Sequence, residues 1–179
     1  MPSALGHALF ASALGASFRA PRIVIAAAAF CAVAPDFDVV AFRFGIPYDA
    51  PLGHRGFSHS LLFALLLGGA AALLLRALLR GSARPPLART FILLALATAS
   101  HGFFDALTDG GLGVAFFSPF DHTRYFFPWR PIAVSPLSLA RFFSAHGLAV
   151  LKSEALWLGV PSALLWAAAR LTSPRHRAR

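Results

Sequence analysis

The sequence predicts an all-α, polytopic membrane protein with about five transmembrane or partly spanning helices and a polar site near one face. Three observations predict it. Of the 179 residues, 58% are hydrophobic and only 13% charged, at a mean hydropathy of +0.68, outside the usual range of soluble domains. The apolar residues gather into runs long enough to enter hydrocarbon, parted by breaks rich in arginine, proline and glycine. Histidines and aspartates stand in or beside those runs, where ionisable groups are costly unless paired, hydrated or metal-bound.

A chain of this length makes one membrane-embedded domain over residues 1–179, with a basic tail at 172–179. The lone cysteine, Cys31, excludes an internal disulfide and a multi-cysteine zinc site, and its alanine-rich surroundings make it a packing residue. The net charge of +9 raises nucleic acid as a partner. The basic residues are scattered between apolar segments instead of forming one polar surface, so the expected partner is the lipid bilayer and not nucleic acid.

Residues 1–18 form a short first helix that carries His7 and ends near Arg19, Pro21 and Arg22; without an early positive charge it is not a cleaved signal. Ile23–Ala34 is the second apolar segment, running into Pro35-Asp36-Phe37-Asp38 and on through Phe42, with Pro35 expected to weaken or kink it. A polar loop over 43–57 leads to the third segment, Ser58–Leu79, in which Ala64, Gly68 and Ala72 lie four apart and form a stripe for close helix contact. The loop 76–89 holds Arg76, Arg80, Arg84 and Arg89. Thr90–Thr108 is the fourth segment and carries His101 and Asp105. The aromatic-rich stretch 109–147 reads either as a loop anchored by an aromatic belt or as a re-entrant segment. The last segment, near Leu148–Leu171, has Glu154 early and Pro161 in its middle.

Helix alternation puts Arg19 and Arg22, the loop 76–89 and the C-terminal end on one side, with no acid among them. The positive-inside rule makes that side cytoplasmic, with the N-terminus out and the C-terminus in. His7, Asp36, Asp38, His54, His59, His101, Asp105 and Glu154 then collect toward the opposite face.

His101 and Asp105 are four apart, so one helix face brings their Cβ atoms to about 6 Å, suited either to one shared ion or to a packing hydrogen bond. Asp36 and Asp38 point the same way on an extended turn but diverge by about 200° on an α-helix. Their mutual repulsion is relieved by a divalent cation, while Asp36 alone also suits a helix cap after Pro35. His54 and His59 lie in His-Arg-Gly-Phe-Ser-His, where Gly56 lets the backbone bend so that both rings face one point. His7 stands alone near the start, and Glu154 is either neutralised by Lys152 or Arg141 or acts as a general base.

In order and spacing, His7, Pro35-Asp36-Phe37-Asp38, His54-Arg55-Gly56-Phe57-Ser58-His59-Ser60 and His101-Gly102-Phe103-Phe104-Asp105 resemble a bacterial family. That family comprises membrane-bound, metal-dependent hydrolases typified by an SOS-regulated inner-membrane protein. The likeness covers roughly residues 5–160. Its His-x-x-x-Asp pattern is distantly similar to that of the all-helical zinc-dependent phospholipase C group, although the larger histidine set of that group is absent here.

The resemblance implies a multi-pass inner-membrane hydrolase. Together with the residues it predicts one or two divalent ions, zinc first and manganese or iron next, held by His7, Asp36, Asp38, His54, His59, His101 and Asp105. Metal-activated water would attack an ester or phosphoester, Arg55 holding an anionic oxygen and Glu154 handling protons. A site open to the outer leaflet suggests a lipid or lipid-linked phosphate. The rival expectation is a non-catalytic protein that binds or transports a metal ion.

The charge count carries a first prediction. A C-terminal dual reporter should give cytoplasmic signal only; a strong periplasmic signal would reverse the orientation and move the histidines to the cytosolic face.

Overall fold

The computed structural model describes residues 1–136 and 139–171, so the basic tail at 172–179 lies outside the described residues. Helix α1 spans Ala4–Ser17, started by the Ser3 side chain, which accepts from the Gly6 N–H at 3.2 Å. Its 14 residues rise only about 21 Å, short of the hydrocarbon thickness, so α1 is a shorter apolar helix beside those long enough to span. Arg19, at φ 50°, and Pro21 turn the chain directly into α2, Arg22–Val33.

Pro35 acts as expected, by changing the helix type. The α-helix stops at Val33 and the chain continues as a 3₁₀ helix over Ala34–Phe44, closed by Gly45 at φ 73°. Eleven residues is long for a 3₁₀ helix, whose hydrogen bonds are poorer than those of the α form. A loop then runs to a short 3₁₀ turn, Phe57–His59, before Ser60 caps α3, Leu61–Leu78, by accepting from the Phe63 N–H at 3.0 Å. Pro85 and Pro86 precede α4, Leu87–Ala106. After the aromatic stretch come a single-turn helix α5, Leu139–Phe142, then α6, Ala145–Glu154, and α7, Val160–Leu171.

A π-helical turn, Ala155–Gly159, joins α6 to α7, with the Val160 N–H reaching back to the Ala155 carbonyl. Pro161 has no N–H to donate, and the widened turn absorbs that loss so that the helix continues past it. Among the described residues, four helical stretches are long and apolar enough to cross a membrane: Arg22–Phe44, Leu61–Leu78, Leu87–Ala106 and Ala145–Leu171. With the shorter α1 they make the expected all-helical membrane protein.

Helix α4 is the centre of the bundle. Half of its apolar window is buried, against 17% for α3. It packs on α3 and α2, while α1 packs on α2 and α7. Small side chains allow this closeness: the core includes Ala11, Ala28, Cys31, Ala32, Ala72 and Ala97, so Cys31 is a packing residue as expected. The buried residues of α3 are Ala64, Gly68 and Ala72, the stripe legible in the sequence. Where hydrocarbon surrounds the helices, such contact replaces the hydrophobic effect as the force holding them together.

The antiparallel order also gathers the helix ends. At one end Arg89 of α4 donates to the Phe18 carbonyl at the close of α1. At the other lie His7, the 3₁₀ helix, His59, and the His101–Asp105 end of α4.

A β-carbon at Gly68 would stand 2.6 Å from the Ala95 backbone nitrogen, whereas one at Gly69 meets nothing closer than Phe91 at 3.7 Å. Gly68→Val should therefore cost about 1–3 kcal/mol by forcing α3 off α4. Gly69→Ala should be close to neutral. Thermal unfolding of the two variants in detergent checks the contrast.

Candidate metal centre

Five separate pieces of chain bring the polar groups together: α1, the 3₁₀ helix, the 54–55 turn, the Phe57–His59 turn and α4. The 3₁₀ helix has three residues per turn, so positions two apart diverge by about 240°. Asp36 and Asp38 therefore straddle His59 instead of pointing together. Asp36 Oδ1 lies 3.8 Å from His59 Nε2, and Asp38 Oδ2 lies 3.2 Å from His59 Nδ1.

The two central imidazoles share one arrangement. His59 Nδ1 faces Asp38 and the Ser58 hydroxyl at 2.9 Å, and His101 Nδ1 donates to the Ala32 carbonyl at 2.7 Å. With each Nδ1 engaged, each Nε2 is left for the interior, and the two meet at 3.0 Å. An acceptor behind the distal nitrogen is the outer support that metal-binding histidines carry. Around this pair stand Asp36 Oδ1, 3.2 Å from His101 Nε2, and Asp105 Oδ2, 3.4 Å from His59 Nε2 and 3.9 Å from His101 Nε2. Bonds of 2.0–2.1 Å in a tetrahedral site imply donor separations of about 3.3 Å, so these atoms are spaced for an ion.

The residues fit such an ion in a second respect. Both carboxylate oxygens of Asp36 and of Asp105, and both ring nitrogens of His7, are buried without a hydrogen-bond partner among the described residues. Asp105 still has the charge of Arg55 beside it, but buried groups short of hydrogen bonds are costly, and a cation supplies a partner. Donor atoms of His7, His101 and Asp105 lie within 4.8 Å of one another, and so do those of Asp36, His54 and His59.

Arg55 is fully buried and sits at φ 61°, a left-handed conformation rare for a side-chain-bearing residue. Its Nε is 3.1 Å from Asp105 Oδ2, Nη1 donates to the Gly110 carbonyl at 2.9 Å, and Nη2 donates to Thr108 Oγ1 at 3.0 Å. The anionic oxygen it meets is thus that of Asp105. Gly56 lies outside the ordinary backbone regions at φ −86°, ψ −132°, and a β-carbon there would stand 2.3 Å from the Pro51 carbonyl, so it supplies both the bend expected of it and room, next to the left-handed Arg55.

His54 Nδ1 is bonded to Asp38 Oδ1 at 2.6 Å, and Asp38 Oδ2 also accepts from Ser58 Oγ at 2.6 Å. One carboxylate therefore braces His54, Ser58 and His59 together. Glu154 is buried but turned to the start of α1, where it accepts from the Ser3 N–H and from Ser3 Oγ at 2.6 Å. Among the described residues its hydrogen bonds go to Ser3 alone.

Several contributors were missed in the sequence. Arg124, within the aromatic stretch, donates to the carbonyls of His54, Tyr48 and Ala50 at 2.9, 3.0 and 3.2 Å and holds the loop against the cluster. Tyr48 packs edge-on against His54 at 5.0 Å, and burial pushes its hydroxyl above the usual tyrosine range. The stretch itself folds back over the site: the Ala115 N–H donates to the Arg55 carbonyl and the Phe127 N–H to the Ala106 carbonyl, each at 3.0 Å. Ser58 was visible in the motif, but the Ala32 carbonyl, Tyr48 and Arg124 carried no local signal.

The family model described as YdjM inner membrane protein matches residues 1–176 of the chain. Inner membrane protein YbcI of Escherichia coli (strain K12) is 36% identical over 169 residues, spanning 92% of this chain and 95% of the relative. No solved structure matches the chain. Both descriptions speak of an inner membrane protein and name no reaction or phospholipase likeness.

The Arg55–Asp105 contact predicts that Arg55→Leu destabilises the protein by about 3–5 kcal/mol, because it strands a buried carboxylate. Urea or thermal unfolding in detergent measures it. Arg55→Leu combined with Asp105→Leu should recover part of the loss, since both partners are then apolar.

Proposed function

The chain belongs to the YdjM inner membrane protein family, and we propose that within it this protein is a metal-dependent hydrolase acting on an ester or phosphoester. One observation carries the reading: two imidazoles with braced Nδ1 atoms present their Nε2 atoms 3.0 Å apart, beside Asp105, which is paired with Arg55, and Asp36, which has no hydrogen-bond partner among the described residues. Donors of this chemistry favour zinc, then manganese or iron. His59, His101, Asp36 and Asp105 would supply the central donors for one or two ions, not all four to a single tetrahedral one, with His7 and His54 at the flanks. A divalent ion held there supplies Lewis acidity and a water of lowered pKa.

The chain's own residues do the remaining work. Asp38 holds the His54 and His59 rings in place through Nδ1, and the Ala32 carbonyl does the same for His101. Arg55 fixes Asp105 and offsets its charge. The stretch folded over the cluster excludes water, so that charge developing at the reacting group is less screened. Glu154 remains the proposed proton-handling group, which requires Ser3 to release its carboxylate.

In the orientation that follows from the arginine distribution, the N-terminus is outside, the C-terminus is cytoplasmic, and the cluster faces the periplasm. A lipid or lipid-linked phosphate is the substrate proposed for that position. The second reading, a non-catalytic protein that binds or moves a metal ion, is favoured by one fact: His7, His101 and Asp105 are fully buried.

Wild-type protein loaded with zinc or manganese should hydrolyse at least one member of a screen of phosphomonoesters, phosphodiesters and carboxyl esters, lipids included. His101→Ala should abolish that turnover while the protein stays folded in detergent. A metal-loaded protein that hydrolyses nothing and carries the ion across vesicles would support the second reading instead.

Asp38→Asn should weaken metal affinity about 10–100-fold by freeing two rings, without removing a ligand. Affinity should also fall as pH is lowered, because protons and the ion compete for the same nitrogens. Competition against a chelating dye across pH measures both effects.

A further inference from the structure

We propose that the cluster holds two ions, one on His7, His101 and Asp105 and the other on Asp36, His54 and His59, and that the pair is matched to a phosphoester. This rests on the hydrolase reading and gives it a metal count and a substrate class.

The argument starts from the order of the imidazoles. Their ring centroids follow one another as His7, His101, His59 and His54, separated by 3.8, 4.6 and 5.4 Å. His7 is stacked on His101, with 17° between the planes, and His54 stands edge-on to His59 at 87°. A single ion with bonds near 2.0–2.1 Å gathers donors only about 3.3 Å apart. Placed between His59 and His101, it does not reach both outer rings of the row.

His7 is the residue that one ion leaves unexplained. It is fully buried, and both ring nitrogens lack a hydrogen-bond partner. Its Nε2 lies 3.4 Å from Asp105 Oδ1, while Oδ2 of the same carboxylate faces His59 and His101. Asp105 thus turns one oxygen to each side, as a carboxylate shared between two ions does. Asp36 reaches across in the opposite sense, its Oδ1 lying 3.2 Å from His101 Nε2. Each set of three supplies two imidazoles and one carboxylate, and each set's carboxylate touches a histidine of the other. Three protein donors per ion leave positions for water and substrate, whereas four in a tetrahedron close the site. Two-metal hydrolytic sites place their ions about 3.5–4 Å apart, the scale of the contacts between these sets.

Charge then selects the substrate. Within and directly against the two donor sets, Asp36, Asp38 and Asp105 bring three negative charges as carboxylates and Arg55 brings one positive; Glu154, held at Ser3, belongs to neither set and is left out of this sum. One divalent ion makes that sum neutral, and two leave a positive excess in a buried site. An anionic phosphoester, whose oxygens can reach both ions, neutralises it; a neutral carboxyl ester does not.

The test uses full-length protein in detergent, loaded with zinc or manganese and freed of loose metal. Element analysis should find two ions per chain in wild type and one in His7→Asn, with helical circular dichroism unchanged. Manganese-loaded wild type should show a spin-coupled electron paramagnetic resonance signal, and His7→Asn an isolated-ion signal. Inorganic phosphate should perturb the coupled signal in wild type and lose at least tenfold in affinity in His7→Asn. If that variant misfolds, His54→Asn makes the same test on the other set. Wild type saturating at one ion would overturn the dinuclear proposal while leaving a one-ion hydrolase standing, and His7→Asn retaining two would overturn the assignment of an ion to His7, His101 and Asp105. No retained ion would defeat both readings, and two ions indifferent to phosphate would overturn the substrate class.

Discussion

The rest of the structure depends on the cost of burying carboxylates and imidazoles at the end of a membrane bundle. Asp105 and His101 are fully inaccessible on the central helix, and Asp36 is nearly so. Charged groups persist in such places only when something compensates each of them. The protein compensates some with its own atoms: Arg55 for Asp105, His54 and Ser58 for Asp38, and the Ala32 carbonyl for His101 Nδ1. What it leaves uncompensated is concentrated on the atoms that face one another. That pattern is the ground on which a ligand-binding centre is proposed over polar glue, in which pairing would be complete.

Backbone geometry decides which atoms are left over. An α-helix through Pro35 would have placed Asp36 and Asp38 differently against the histidine turn. The 3₁₀ helix over Ala34–Phe44 puts one carboxylate at each nitrogen of His59, so the two acids take different tasks: Asp38 braces and Asp36 faces inward. The left-handed Arg55 turns its side chain under Asp105 while its N–H reaches Asp38 Oδ2 at 3.2 Å. Strain of this sort is retained where the surroundings over-determine it, and here a fully buried guanidinium with three acceptors does so.

Helix number, order and the α3–α4 contact were legible because hydrocarbon imposes simple rules: a length, an apolar composition, and small residues where helices meet. The gathering of His7, His54, His59, His101 and their aspartates was legible from helix alternation alone, which needs no side-chain geometry. The partition of tasks was not legible. Whether Asp36 and Asp38 point together depends on helix type, and an i to i+2 spacing in sequence does not declare it. Arg124 and Tyr48 reach the site through a long connection whose fold rests on isolated contacts such as the Val114–Tyr125 bridge, and no periodicity announces those. Glu154 reads as a site residue by depth, yet its partner is Ser3, some 150 positions away.

The central claim is that the paired Nε2 atoms of His59 and His101 bind a divalent ion. X-ray absorption at the zinc edge of the reconstituted, detergent-purified protein tests it most directly. The account predicts nitrogen and oxygen ligands only, with the outer-shell scattering of imidazole, and a clear decrease of that scattering in the His59→Ala, His101→Ala double variant. A sulfur ligand, a fully hydrated ion, or an imidazole signal unchanged in the double variant would contradict it.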